Sequence, residues 1–376
     1  MQIKGIKYFG PMFDHSGYGQ ASRGYILALN KLGVPLTLKP ITFEKEQPDW
    51  EKEGVVLGDL IDKDIDYNVV ILHTTPEFWK IHREDGKTNV GYVVWETSKL
   101  HPDWPVYINN NVDGIMVGCD WDIEVFKNSG VEVPVFSIPH GIDVDEYNDV
   151  DPYIIGGIKE DAYKFYGIFQ FTERKHPMAL IKSYWAAFQN DENVALILKT
   201  YRGDFSDGEK DGIRETIKRL KDVTPLDKYP PIYLVLDMLS RKEVLGLHKA
   251  GDCFISLDRG EGFGLPGFEA GTASNPIIVT GIAGALEYAK PEHSYLVNYT
   301  LTPVSGMPWS PWYRGDQMWA EPDCEHAIKL MRHVYNNQDE ARGKGETLKK
   351  YIAENLSWEK VGQKMLDAIK SLGEEV

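Results

Sequence analysis

Two carboxylates, Glu261 and Glu269, bracket the segment EGFGLPGFE with seven residues between them. An ionised carboxylate only accepts hydrogen bonds, so a pair at this spacing suits a ligand that carries several hydroxyls. Between them Gly262, Gly264 and Gly267 follow a Gly-x-Gly-x-x-Gly pattern. Where such a turn leads from a strand into a helix, backbone N–H groups and the positive helix end approach an anion, which points to a phosphate. A dinucleotide site would add an acidic residue at the end of the next strand to bind a ribose. The next strand-like run here, PIIVT, ends at Thr280 and Gly281, and Glu287 falls beyond it in the helical GALEYAK. The second leg of a dinucleotide site is therefore missing. Glu261 precedes the turn, where a bound sugar would donate hydroxyls. Glu269 lies about one turn into the helix, where a ribose diol would sit, with a diphosphate held between them. No helix cap or local ion pair in the sequence accounts for either carboxylate.

The elements that must position these groups alternate along the chain. Strand-like IKGIKYFG is followed by GQASRGYILALNKLG, then VPLTLKP, YNVVILHT, VGYVVWE, GIMVGC, a helix near DWDIEVFKNSG, and VPVFSIP. After the acidic stretch HGIDVDEYNDVDPY the alternation resumes with KFYGIFQF, MALIKSYWAAF, VALILKT, IYLVLD, DCFISLD, PIIVTG and SYLVN. Ser240 and Glu243 have capping-box spacing and open a helix that Gly251 closes. This pattern predicts an α/β fold of two Rossmann-like doubly wound domains facing across a cleft. The boundary is expected near Asp145 to Pro152, giving an N-terminal domain over 1–147 and a C-terminal domain over 152–357. The amphipathic WEKVGQKMLDAIKSL, within about 358–376, is expected to pack back on the first domain. Ligands of open α/β sheets bind at the carboxyl ends of the strands, so the SGYG and EGFGLPG loops are expected to line one cleft.

At EGFGLPGFE and its surroundings, DCFISLDRGEGFGLPGFEAGTASNPIIVTGIAGALEY, the chain resembles the retaining glycosyltransferases of family four, which have the GT-B fold. Weaker matches are FDHSGYGQASRG, GYVVWETSKLHPDW, PHGID, TERKHP, MWAEPD and LSWEKVGQKML. The resemblance implies transfer of a sugar from a nucleotide-sugar donor, UDP-, GDP- or another, to an acceptor hydroxyl with retention of configuration. It implies an acceptor-side first domain and a donor-binding second domain. Glu261 would contact the donor sugar. Gly262, Phe263, Gly264 and Leu265 would supply contacts to sugar and diphosphate, and Glu269 would bind the ribose. Arg174 and Lys175 resemble the diphosphate-binding cations; many members carry an Arg five residues before that Lys, where this chain has Gln170. Gly17 and Gly19 resemble the loop by which the first domain's backbone approaches donor or acceptor. The fold usually works without a metal, so no metal and no further cofactor is expected to be essential.

Other residues admit structural readings. Arg174 and Lys175 also fit a solvated helix entry. His73 and Glu96 end strand-like runs of the first half and are candidates to orient an acceptor hydroxyl; a satisfied buried His and a structural Glu fit as well. His140 in PHGID is expected to shape the hinge. The aromatic run MPWSPWYRGDQMW packs a long loop or stacks on a sugar. The Asp-x-Asp pairs Asp64/Asp66, Asp143/Asp145 and Asp149/Asp151 are expected by chance among 57 acidic residues.

Composition bounds the partners. A formal net charge of −16 argues against non-specific binding of nucleic acid, which enters only as an acceptor. No apolar run approaches the roughly 20 residues that span a bilayer, and MQIKGIKYFG reads as a strand rather than a signal segment, so a cytoplasmic protein is expected. Cys119, Cys253 and Cys324 lack metal-ligand spacing. Glycan or glycoconjugate synthesis is the default role. A modified nucleic-acid base or a protein as acceptor, a non-catalytic nucleotide- or sugar-binding protein, and a dinucleotide oxidoreductase are the alternatives. The donor's base, the acceptor and the oligomeric state are not readable.

Overall fold

The computed structural model describes residues 1–43 and 57–373. The chain divides into two compact units, one formed by Met1–Asp143 with Glu354–Val376 and one by Val144–Ala353. Each is built on a six-stranded sheet whose pairings are all parallel.

In the first unit the strands are β1 (Ile6–Gly10), β2 (Leu36–Pro40), β3 (Val69–His73), β4 (Thr88–Val93), β5 (Gly114–Val117) and β6 (Val135–Ser137). Their order is β2-β1-β3-β4-β5-β6. Helices α1 (Gly17–Lys31), α2 (Trp79–His82), α3 (Asp103–Asn111) and α4 (Asp120–Asn128) intervene. A strand covered on both faces reads as a continuous apolar run, and all five residues of β3 are buried.

In the second unit the strands are β7 (Tyr163–Gln170), β8 (Val194–Tyr201), β9 (Ile232–Val235), β10 (Cys253–Ser256), β11 (Ile277–Thr280) and β12 (Tyr295–Val297), in the order β12-β11-β10-β7-β8-β9. The connecting helices are α5 (Pro177–Ala187), α6 (Asp207–Val223), α7 (Arg241–Ala250) and α8 (Leu265–Thr272). The chain winds outward from β7 to β9, then returns to the other side of β7 with β10. That reversal makes a crevice at the carboxyl ends of β7 and β10. The hairpin β13 (Tyr299–Pro303) and β14 (Met318–Pro322) follows, with α9 (Cys324–Asn336) and α10 (Gln338–Asn355). The aromatic run lies between its strands: Met307, Trp319 and Val304 form a small core with Tyr313 against it, and Trp309 is exposed.

Finally α11 (Trp358–Ser371) packs on α1. Val361, Met365 and Ile369 join the core of the first sheet. Trp358 lies flat on two glycines, Gly24 of α1 and Gly141. A Cβ at Gly24 would overlap the indole, so Gly24→Val forces the two helices apart. Overpacking of this kind costs about 1–3 kcal/mol. Urea unfolding of Gly24→Val is expected to show that loss, while Gly343→Val, where an added Cβ meets nothing within 4 Å, shows much less.

Candidate functional site

The crevice between β7 and β10 collects the chemistry. β7 ends at Gln170, and residues 171–176 turn into α5; β10 ends at Ser256, and residues 257–264 turn into α8. The amide of Arg259 donates to the Arg174 carbonyl at 2.8 Å, which ties the two turns together. The Arg174 guanidinium donates to the Gly260 carbonyl at 2.8 Å and stands 4.0 Å from the Glu261 carboxylate. Lys175 forms a close ion pair with Glu261, and its Nζ is 4.0 Å from Asp258. These three side chains are mostly buried, at 11 %, 18 % and 14 % exposure, so the pair is weakly screened by water.

Gly264 caps α8 with φ +88°, a left-handed conformation that costs glycine nothing and strains other residues. The Tyr288 hydroxyl donates to the Gly264 carbonyl at 2.8 Å and would collide with a Cβ there. Phe263 is buried against Phe268 and Tyr288, so its side chain anchors the turn. Leu265 is half-buried at the start of α8. Lys175, Glu261, Asp258, Thr280 and Gly264 line one recess. Within it Thr280 Oγ1 and Asp258 Oδ1 are buried without a hydrogen bond. Buried polar atoms are nearly always satisfied, so two orphans in one recess mark a place for a polar ligand.

Glu269 is 4 % exposed and pairs with Arg241, the first residue of α7, and with His248 at 3.3 Å. A carboxylate only accepts, which makes His248 Nε2 the donor to Glu269, and Nδ1 of the same ring stands 2.9 Å from the Tyr166 hydroxyl. Arg241 also reaches Glu146 at 2.9 Å. Both carboxylates of the motif are thus ion-paired, against the expectation of no such partner. The partners are 86 and 28 residues away in sequence (Lys175 to Glu261, Arg241 to Glu269), beyond the reach of local spacing rules.

The remaining candidates lie in the first unit. Gly17 and Gly19 open α1 rather than staying in a loop, with Ser16 capping the Gly19 amide at 3.2 Å. His73 ends β3, buried; Tyr8 and Ser22 hydroxyls contact its Nδ1 at 2.6 and 3.0 Å. Burial, and then the neighbouring His140, hold its pKa well below the ordinary value. His140 contacts the Tyr25 hydroxyl at 3.0 Å, and burial lowers it to about 3. Glu96 does not end a strand: β4 stops at Val93, and Glu96 is half-buried in the following turn. Gln170 donates to the Arg202 carbonyl at 2.7 Å. Among the described residues no group of three or more His, Cys, Asp or Glu could hold a metal ion, and no helix is long and apolar enough to cross a membrane.

This architecture has counterparts among solved structures. Sucrose-phosphate synthase from Thermosynechococcus elongatus superposes with a TM-score of 0.70 over 99 % of this chain and 100 % of that one, at 12 % identity. The fold is that of the GT-B glycosyltransferases. Anabaena Alr3699/HepE, solved in complex with UDP and glucose, gives 0.64 over 98 % of this chain and 100 % of its own, at 11 % identity. Staphylococcus aureus TarM gives 0.56 over 80 % of this chain and 54 % of its own, at 13 % identity. In sequence, the chain is 22 % identical over 299 residues to Uncharacterized protein 356 of Sulfolobus islandicus rod-shaped virus 1, covering 78 % of this chain and 79 % of that protein. No family model matches.

Asp258, Arg241 and His248 were not singled out by the sequence. Asp258 follows β10 in DRGEGFG, and Arg241 follows the capping Ser240, so only the strand and helix ends around them signalled a site. Arg241→Met removes the guanidinium that pairs with buried Glu269. Removing one partner of a buried ion pair costs about 3–5 kcal/mol, and the low end applies because the Arg241 side chain is 29 % exposed. Urea unfolding at pH 7 is expected to show about 3 kcal/mol lost in Arg241→Met, partly recovered in Arg241→Met/Glu269→Gln.

Proposed function

We propose that the chain is a retaining glycosyltransferase that moves a sugar from a nucleotide-sugar donor to an acceptor hydroxyl, in glycan or glycoconjugate synthesis. The observation that carries this reading is the recess at the β7–β10 crevice, where Lys175, Glu261 and two unsatisfied buried oxygens meet the glycine turn into α8. A cation and a helix N-terminus suit a diphosphate; a carboxylate and buried hydroxyl acceptors suit a sugar. The second unit is the donor-binding one and the first the acceptor side. UDP and glucose bound to HepE support a nucleotide-sugar donor by fold likeness.

In this reading the diphosphate lies against the amide groups that open α8, and Lys175 turns to it from Glu261. Glu261 then accepts from hydroxyls of the donor sugar. Backbone groups of Gly262 to Leu265 border sugar and diphosphate. As the glycosidic bond breaks, negative charge grows on the departing diphosphate, and fixed donors aimed at it stabilise the transition state. Each such donor is worth roughly 10²–10³ in rate. Arg174 holds the Gly260 carbonyl and adds positive potential at the same turn. The departing phosphate oxygen takes the acceptor's proton on the face it leaves, which gives retention and needs no metal or protein base.

Glu269 binds the ribose. Arg241 and His248 fix its rotamer. On the acceptor side, Glu96 and the backbone at Gly17 and Gly19 are the contact groups. Neutral His73 is an orienting group rather than a proton carrier near pH 7, since burial opposes its protonation.

A thermal-shift screen tests this reading with UDP, GDP, ADP, CMP, dTDP, their sugars and NAD(P). A ligand at a hundred times its Kd stabilises the native state by about 2.7 kcal/mol. One nucleoside diphosphate and its sugar are expected to raise the midpoint, with the shift reduced in Glu269→Gln. A rise with NAD(P) alone contradicts the reading.

A further inference from the structure

Lys199 is a buried cation without a partner in the account so far. It stands in β8, only 6 % exposed. Among the described residues its Nζ makes no hydrogen bond and no ion pair within 4 Å. Its Nζ lies 4.9 Å from the centre of the Phe205 ring. The anion that acts on it most is Asp237, just beyond β9, and that carboxylate already accepts from Lys210 at 2.6 Å. Burial lowers the Lys199 ammonium to about 8, so it stays charged at neutral pH, and among the described residues no protein group accepts from it.

The register shows where it faces. Ile168 of β7 pairs with Lys199, and Lys199 with Val235 of β9. Paired residues on neighbouring strands share a sheet face. Ile168 lines the recess, together with Phe254 and Ser256 of β10. Lys199 therefore emerges on the recess face of the sheet, one strand outward from β7 and near the carboxyl ends. It lies on the β9 side, where the next chain segment enters α7 at Arg241. As a structural residue this lysine would gain only the Phe205 ring and the attraction of Asp237; Leu or Met would fill a similar volume without desolvating a charge.

We propose that Lys199 is a ligand-binding cation of the nucleotide site, donating to an oxygen of the bound nucleoside diphosphate. The inference rests on the nucleotide-sugar reading above. Two oxygens of the same nucleotide have the required chemistry, a phosphate oxygen and a carbonyl of the base.

Calorimetric titration of the full chain with UDP, GDP and ADP, for wild type, Lys199→Met and Lys199→Arg, tests it. Hydrogen bonds to a charged group are worth about 1.5–3 kcal/mol, so Lys199→Met is expected to bind roughly ten- to hundredfold more weakly. Lys199→Arg, which keeps the charge, is expected to recover part of the affinity. Equal losses for every diphosphate that wild type binds assign the contact to phosphate. A loss for UDP and GDP that spares ADP assigns it to the base, because adenine has no carbonyl. The unliganded Lys199→Met protein is expected to melt no lower than wild type, since it loses a desolvated charge. A lower melting temperature with unchanged affinity overturns the inference and makes Lys199 structural. Unchanged affinity in Lys199→Met with an unchanged melting temperature overturns it also. If wild type binds one of the three and Lys199→Met binds it equally well, this inference falls and the nucleotide-sugar reading stands; that reading falls only if none of the nucleotides in the thermal-shift screen binds.

Discussion

The ion pair between Lys175 and Glu261 is the interaction on which the rest of the second unit's chemistry depends. It joins the turn after β7 to the turn after β10, across the point where the strand order reverses. Both side chains are largely withdrawn from water, so each charge needs the other. A ligand that brings its own anion and its own hydroxyls can replace both halves of that pair at once. A nucleotide sugar has both, and in the proposed function this exchange ties the resting geometry to donor binding.

Everything around the pair serves to hold those two turns. The Arg259 amide on the Arg174 carbonyl and the Arg174 guanidinium on the Gly260 carbonyl cross between them. Tyr288 fastens the left-handed Gly264, which sets the direction in which α8 presents its first amides. Behind α8, Glu269 is locked by Arg241 and His248, so α7 and α8 are linked by charge as well as by packing. A preorganised site of this kind avoids reorganisation when charge develops.

Much of the fold was legible because its cause is local. Apolar runs such as VVILH and VALILKT read as strands buried on both faces, and the capping box at Ser240 and Glu243 forms as its spacing predicts. The glycine turn was legible for the same reason. Ion pairing was not: Lys175, Arg241 and His248 meet the two motif carboxylates, and Asp258 meets Lys175, only after the sheet has brought distant strand ends together. Lys199 looked like one residue of a strand, and only the register with Ile168 places it on the face of the sheet that carries the recess. Glu96 was misplaced because β4 stops three residues earlier than its apolar run suggested.

The exchange of Lys175 between Glu261 and a diphosphate is the central claim, and one variant separates it from a merely structural pair. Glu261→Gln removes the carboxylate that neutralises Lys175 and keeps its shape. Calorimetry with the nucleoside diphosphate that most stabilises wild type, alongside turnover of its sugar, reads both halves of the exchange. Tighter diphosphate binding, by roughly tenfold for each 1.4 kcal/mol of released competition, together with slower sugar transfer, is the result the account requires. Diphosphate binding that weakens or does not change in Glu261→Gln contradicts it.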